Sequence, residues 1–332
     1  MLNVFLGYSC NLSCSYCLQA PLAERERRVK PNTSVFIEKV LPWVVEKNIK
    51  EIAYWGGEPL VYWKHIEQIQ EAFKEAGHKF DFVKIATNGT LFTDKHVEQC
   101  NEWDAYVIVS QHPDFGTPAW DKIINLNNYS LSYLFYHDNL YAWDWIKECE
   151  KLEQTYSRPM FPYMHWVRAT SGASPDTYLT HEDLDKHIVH LWDLAKLAAD
   201  GHRLAKNMWL GHMAEWKSKV HGNAEFVPMC FGSHQIDVDL DGNRYACHHH
   251  VEPHLKTGTI WEDTSESALH QARKFVDTKE CKECPINTWC RGNCHLSMTH
   301  DVDCRLSKYK HKILTWLDGK LNDSSTRIFV HH

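Results

Sequence analysis

The sequence predicts an α/β fold: six β–α units building a parallel sheet, open or rolled into a barrel, followed by a small cysteine-rich module. Three observations carry this. From residue 1 to about 170, apolar β-type runs alternate with amphipathic helical patterns. The strand runs are nearly continuous in apolar character, as strands covered on both faces should be. From Cys230 onward the text turns to short strands, turns and dense cysteine. The expected divisions are 1–178 for the β–α units, 179–227 for a helical bridge, 228–310 for the cysteine-rich module and 311–332 for a C-terminal helix and tail.

The candidate strands are "NVFLGY" (3–8), "EIAYWGG" (51–57), "FVKIATNG" (82–89), "AYVIVSQH" (105–112), "LSYLFYH" (131–137) and "FPYMHWVRA" (161–169). Between them lie helical patterns such as 63–77 and 139–156. In barrels of this kind, chemistry gathers at the C-terminal strand ends, and several strands here end in polar or glycine-rich text. The bridge opens on Thr180 as an N-cap with Asp183 three residues later, and it stops at Gly201. A second helix runs to about His221. The stretch 239–260 reads as a hairpin turning at "DGN", and 306–321 as a helix.

Composition limits the function. The 332 residues are 43% hydrophobic, enough for a large core, and the net charge of −7 argues against nucleic acid or an anionic membrane as partner. No apolar run approaches a membrane span, and "MLNVFLGY" lacks the basic start and full apolar stretch of a signal peptide. A cytoplasmic location follows, and there twelve cysteines are metal ligands or catalytic groups rather than a disulfide framework. Cys100 shares a helical face with Val97 and Trp103, and Cys149 with Ile146 and Leu152, so both are expected in the core. The other ten fall into two groups.

The first is "CNLSCSYC", with Cys10, Cys14 and Cys17 on the loop after the first strand. A structural zinc site wants four closed ligands; three thiols with no fourth nearby suit a centre that binds something else. Cysteine number and spacing identify iron–sulfur clusters. This motif resembles that of the radical S-adenosylmethionine (SAM) enzymes, down to Tyr16 before the third cysteine. The resemblance implies a 4Fe-4S cluster whose open iron chelates SAM, and a 5′-deoxyadenosyl radical that takes a hydrogen atom from substrate. It extends to Gly56, Gly57, Glu58 and Pro59 after the second strand, where Glu58 would accept from the methionine ammonium and the glycines would allow close backbone approach. Asn88 after the third strand and Ser110 after the fourth match positions lining the SAM pocket in relatives.

The second group resembles the seven-cysteine SPASM module. The resemblance implies a partial (β/α)6 TIM-like barrel followed by a small cysteine-rich SPASM domain with two auxiliary 4Fe-4S clusters, three clusters in all. Cys281, Cys284, Cys290 and Cys304 would hold one auxiliary cluster, and Cys230, Cys247 and Cys294 the other. The fourth position of the latter would fall to a side chain among Ser233, His234 and Asp237, to an exogenous thiol or to substrate. The sulfatase-maturing branch carries a basic aspartate where this chain has His248, which counts against formylglycine formation. His165 and Arg168, at the end of the sixth strand, are the candidate catalytic residues facing substrate.

The function expected from this resemblance is modification of a ribosomally made precursor peptide by crosslinking, epimerisation, oxidation or backbone excision. An electron donor such as a flavodoxin or ferredoxin is implied. Because Cys10 comes almost at once, a separate leader-recognition protein is expected as a further partner. Two other readings stay open: a radical SAM enzyme for a small molecule such as a sugar or amino alcohol, and a zinc-binding module without catalysis.

Overall fold

The computed structural model describes residues 1–19, 31–111, 116–170, 173–221, 235–245, 247, 255–262, 277–294 and 296–323. Six parallel strands, β1 (Leu2–Phe5), β2 (Glu51–Trp55), β3 (Phe82–Thr87), β4 (Tyr106–Gln111), β5 (Asn128–Phe135) and β6 (Pro162–Trp166), lie side by side in chain order. The intervening helices are α1 (33–46), α2 (Trp63–Glu75), α3 (Asp94–Glu102), the short α4 (Trp120–Ile123) and α5 (Ala142–Tyr156). Chain order without a reversal is the singly wound arrangement of a barrel, not of a doubly wound sheet. The sheet has ends at β6 and at the far side of the second module, so the barrel is partial.

The sheet is two-faced. Cross-strand partners point to the same side, and one row reads Val238, Val4, Tyr54, Ile85, Val107, Tyr129, all buried. Its neighbour reads Asp237, Asn3, Ala53, Lys84, Tyr106, Asn128. The first row packs under the helices, with Gln70 of α2 donating to the Tyr54 hydroxyl at 2.8 Å. The second points to the opposite, inner face. In β3 and β4 burial alternates residue by residue. Strands covered on both faces were expected, and β1, the middle of β2 and most of β5 are so covered; β3 and β4 differ because their inner-face residues are only partly covered.

Two helices follow the barrel, α6 (His181–Ala199) and α7 (Arg203–His221). Thr180 caps α6 as expected: its hydroxyl accepts from Asp183 N at 3.1 Å, and the Asp183 carboxylate accepts from Thr180 N at 2.8 Å. Beyond them the second module does not stand apart. Its strand β7 (Ile236–Asp239) pairs parallel with β1, and β8 (Asn243–Tyr245) and β9 (Lys256–Thr259) continue the same sheet antiparallel. The turn 240–242 is held by Asp239, which accepts from the backbone N–H groups of Asp241 and Asn243. Short helices α8 (Lys279–Lys282) and α9 (Asn287–Cys290) precede the long α10 (His300–Asp323), which runs unbroken across the boundary expected at 310.

One apolar cluster reaches from Leu2 to Leu321, with Ile286 and Trp289 of the cysteine-rich segment inside it. Cys100 and Cys149 lie in that core at 1% and 0% exposure. Among the described residues, no helix is long and apolar enough to cross a membrane.

Asp237 ties the module to the barrel, accepting from the Asn3 side chain at 2.6 Å and from Gln235 at 3.1 Å. It was a candidate fourth cluster ligand; the structure instead gives its carboxylate to the sheet. Burial pushes it up to about 6, against the pull of those bonds and of Arg244. A folded-state value above the unfolded one makes its stabilising contribution greatest in acid, and that contribution is lost as pH rises through about 6. Asp237→Asn should therefore gain on the parent protein by about 1 kcal/mol between pH 5 and pH 8, measured by urea unfolding at both.

Candidate active site

The loop carrying the first three cysteines leaves β1 and folds over the ends of β2 and β3. Its backbone is pinned directly: Gly57 N donates to Gly7 O at 2.8 Å, and Glu58 N to Ser9 O at 2.9 Å. Ser9 N in turn donates to the Tyr62 hydroxyl at 2.5 Å. No side chain fits between. A Cβ on Gly56, whose φ is +157°, would lie 2.8 Å from Gly7 O, and one on Gly57 would collide with Ser9 O. The close approach that these glycines permit is thus made by the chain's own cysteine loop.

Glu58 is 1% exposed and braces the same junction. One carboxylate oxygen accepts from Leu60 N at 3.0 Å and the Thr87 hydroxyl at 2.5 Å, and the other from Asn88 N at 2.8 Å. Burial pushes its pKa up to about 6 in spite of these three bonds. The sequence reading assigned this side chain to the methionine ammonium of SAM; the structure turns it inward as the splice between the β2 and β3 ends. Pro59 is buried and opens the short helical turn Pro59–Tyr62 behind it.

Asn88 carries the brace on to the cysteine loop. Its amide donates to Asn11 Oδ1 at 2.9 Å, the Asn11 amide donates to Thr90 Oγ1 at 2.7 Å, and Thr90 donates back to Asn88 Oδ1. Asn11 sits between two of the cysteines and was not singled out from sequence. Ser110, paired with Ser132, is half-buried on the inner face. Tyr16 is buried against Tyr136, ring centroids 4.9 Å apart, in a small cluster with Cys14.

The three thiols lie close enough to feel one another. Burial, then the neighbouring Cys17 and Cys10, push Cys14 up to about 12. Cys10 is raised by burial above all, although Leu12 N donates to its sulfur at 3.3 Å. Among the described residues, no three His, Cys, Asp or Glu side chains converge on a single metal ion. Each thiolate of an iron–sulfur cluster binds its own iron, so three thiols on one short loop fit that group.

The later cysteines gather at α10. Cys290, pushed up to about 11 chiefly by burial, feels Cys304 and Cys281; Cys304, also raised by burial, feels Cys284 and Cys281. The structure thus brings Cys281, Cys284, Cys290 and Cys304 together, an arrangement that fits a second cluster. Cys247 and Cys294 are buried, while Cys230, Ser233, His234 and His248 lie outside the described residues.

At the sixth strand the two candidate catalytic residues part. His165 is exposed and lies opposite Leu134, which packs against the Cys14–Tyr16 cluster. Arg168 pairs with Asp303 at 3.4 Å, next to Cys304, and so joins the barrel to α10 instead of facing substrate alone. A separate cavity of about 710 Å³, lined by residues such as Glu67, His78 and Trp103, contains no cysteine and is no part of this site.

Residues 4–135 match the family model of the radical SAM superfamily. The chain is 23% identical over 338 residues to the serine-type anaerobic sulfatase-maturating enzyme of Bacteroides thetaiotaomicron, covering 87% of this chain and 80% of that one. It is 30% identical over 124 residues to the radical SAM cyclopropyl synthase TigE of Paramaledivibacter caminithermalis, 33% of this chain and 26% of that one. In fold it is similar to native anSMEcpe with bound AdoMet, with a TM-score of 0.69 at 16% identity over 98% of this chain and all of that one. The same protein with AdoMet and the Cp18Cys peptide gives 0.67 at 15% identity, over 98% and 99%.

Gly57→Ala is expected to lift the cysteine loop from the β2 end. It should cost about 1–3 kcal/mol by denaturant unfolding and speed alkylation of Cys10, Cys14 and Cys17 in the metal-free protein. Unchanged alkylation would refute the clamp.

Proposed function

Since residues 4–135 are a radical SAM domain and the chain is a radical SAM enzyme, we propose that it is a SPASM-type maturase that modifies a ribosomally made peptide. The observation that carries this reading is the presence in one chain of two separate thiol groups, three on the loop after β1 and four around α10. One catalytic and one fully ligated auxiliary centre would account for them. Cys230, Cys247 and Cys294 are the proposed ligands of a third. Peptide as substrate class is supported by the sulfatase-maturating relative and by the peptide in the second anSMEcpe structure.

In this reading Cys10, Cys14 and Cys17 hold the first cluster. When bound, that cluster and SAM supply a 5′-deoxyadenosyl radical for hydrogen-atom abstraction. The chain's own part is positional. The Gly56–Gly57 backbone, Asn88 and Ser110 bound the SAM pocket; Glu58 keeps that pocket's two strand ends in register; His165 is the side chain exposed toward substrate. With His248 where the sulfatase-maturing branch has its aspartate, the bond made is not that of formylglycine. Electrons come from a flavodoxin- or ferredoxin-type donor in the cytoplasm.

Three clusters amount to about twelve irons per chain. Anaerobically reconstituted protein should approach that number with no stoichiometric zinc; zinc without iron would return the chain to a non-catalytic module. Replacing Cys10, Cys14 and Cys17 by alanine should abolish 5′-deoxyadenosine formation and leave the remaining iron in place. Mass spectrometry of a co-expressed precursor peptide then tests the substrate class. An unmodified peptide alongside turnover of a sugar or amino alcohol would overturn it.

Loading should also follow pH. Because Cys14 is held protonated to about 12, iron must displace its proton, and below that value each unit of pH gained makes thiolate about tenfold more available. Reconstitution of the three-thiol site should therefore be faster at pH 8.5 than at pH 7.

A further inference from the structure

Helix α10 brings more than Cys304 to the four later thiols. Residues three and four apart share a helix face, so Ser307 and Lys308 stand beside Cys304. Ser307 donates its hydroxyl to Asn293 Oδ1 at 3.0 Å, and Lys308 and Ser307 act against burial in lowering the thiols of Cys304 and Cys290. Lys310 points elsewhere: its ammonium lies 4.0 Å over the Trp166 ring and 5.9 Å from the Trp289 ring. Trp289 immediately precedes Cys290, whose charge Lys310 feels.

The fixed charges around it do not balance. Lys219 pairs with Glu215 at 2.5 Å, and Arg168 with Asp303 at 3.4 Å. Lys310 has two indole faces and, among the described residues, no carboxylate within ion-pair distance. Burial first and then Arg168 push it down to about 7, while Glu215 and Cys290 pull the other way. Taken alone, the chain leaves this cation short of negative charge. The nearby anion in prospect is the thiolate-ligated group itself, since cysteines bind metal only as thiolates.

We infer that Lys310 is the fixed counter-charge of the centre held by Cys281, Cys284, Cys290 and Cys304, and that its positive charge raises that centre's reduction potential. The inference rests on the four-thiol assignment proposed above. Its physical basis is simple: adding an electron makes the centre more negative, and a nearby cation favours the more negative state. The two indoles hold the ammonium in place without neutralising it.

The test is a potentiometric titration of the full-length reconstituted protein, followed by electron paramagnetic resonance and iron analysis. The signal of this centre is the one lost in Cys281→Ala. Lys310→Met removes the charge and Lys310→Arg keeps it. In the Met variant the reduction equilibrium should fall about tenfold, about 59 mV more negative for one electron, and the Arg variant should stay within about threefold of the parent. Loss of this centre's iron in Lys310→Met with retention in Lys310→Arg would also support the charge requirement. An unshifted Met variant, equal shifts in both variants, or loss of iron from both would overturn the inference. A parent protein that holds no iron at these four cysteines would overturn the four-thiol assignment, and this inference with it.

Discussion

Backbone-to-backbone contact between the cysteine loop and the β2 end is the constraint on which the candidate active site depends. Gly7, Ser9, Gly57 and Glu58 meet through two amide hydrogen bonds of 2.8 and 2.9 Å, at a distance that leaves no space for a Cβ. Such a junction locates three thiols without any side chain of the loop having to find a partner. Glu58 then makes the junction rigid. A buried carboxylate is costly unless its lone pairs are satisfied, and here three donors from two turns satisfy it. Any disturbance of one turn is felt by the other.

The division of the sheet into an apolar outer row and a mixed inner row explains how one scaffold can be stable and still open. Val4, Tyr54, Ile85 and Val107 anchor the helices, while in the adjacent row Lys84 and Asn128 stay partly exposed. His165, on the last of the six strands, is exposed opposite Leu134.

Barrel and cysteine-rich segment behave as one body because they share parts. β7 extends the sheet at β1, Arg168 reaches Asp303, and Ser174 N donates to Ser15 O, tying the loop after β6 to the cysteine loop itself. α10 belongs to both regions: it packs in the common core through Ile313, Leu314 and Leu317 and carries Cys304 at its start. A short chain can therefore support several thiol groups without a second core.

The sequence by itself determined the local facts: six β–α units, the capping box at Thr180, Cys100 and Cys149 as core residues, and the two separate groups of thiols. Each follows from residue type and spacing along the chain, through periodicity, capping chemistry and the clustering of a rare side chain. Tertiary structure alone decided which partner each polar group takes. That Glu58 turns inward, that Asn11 joins Asn88, that Asp237 joins Asn3, and that Lys310 lies between Trp166 and Trp289 are contacts between residues far apart in sequence. The alternation along β3 and β4 was illegible for the same reason. Whether an inner wall is filled or open depends on whether the barrel closes, and closure is a property of the whole sheet rather than of any strand.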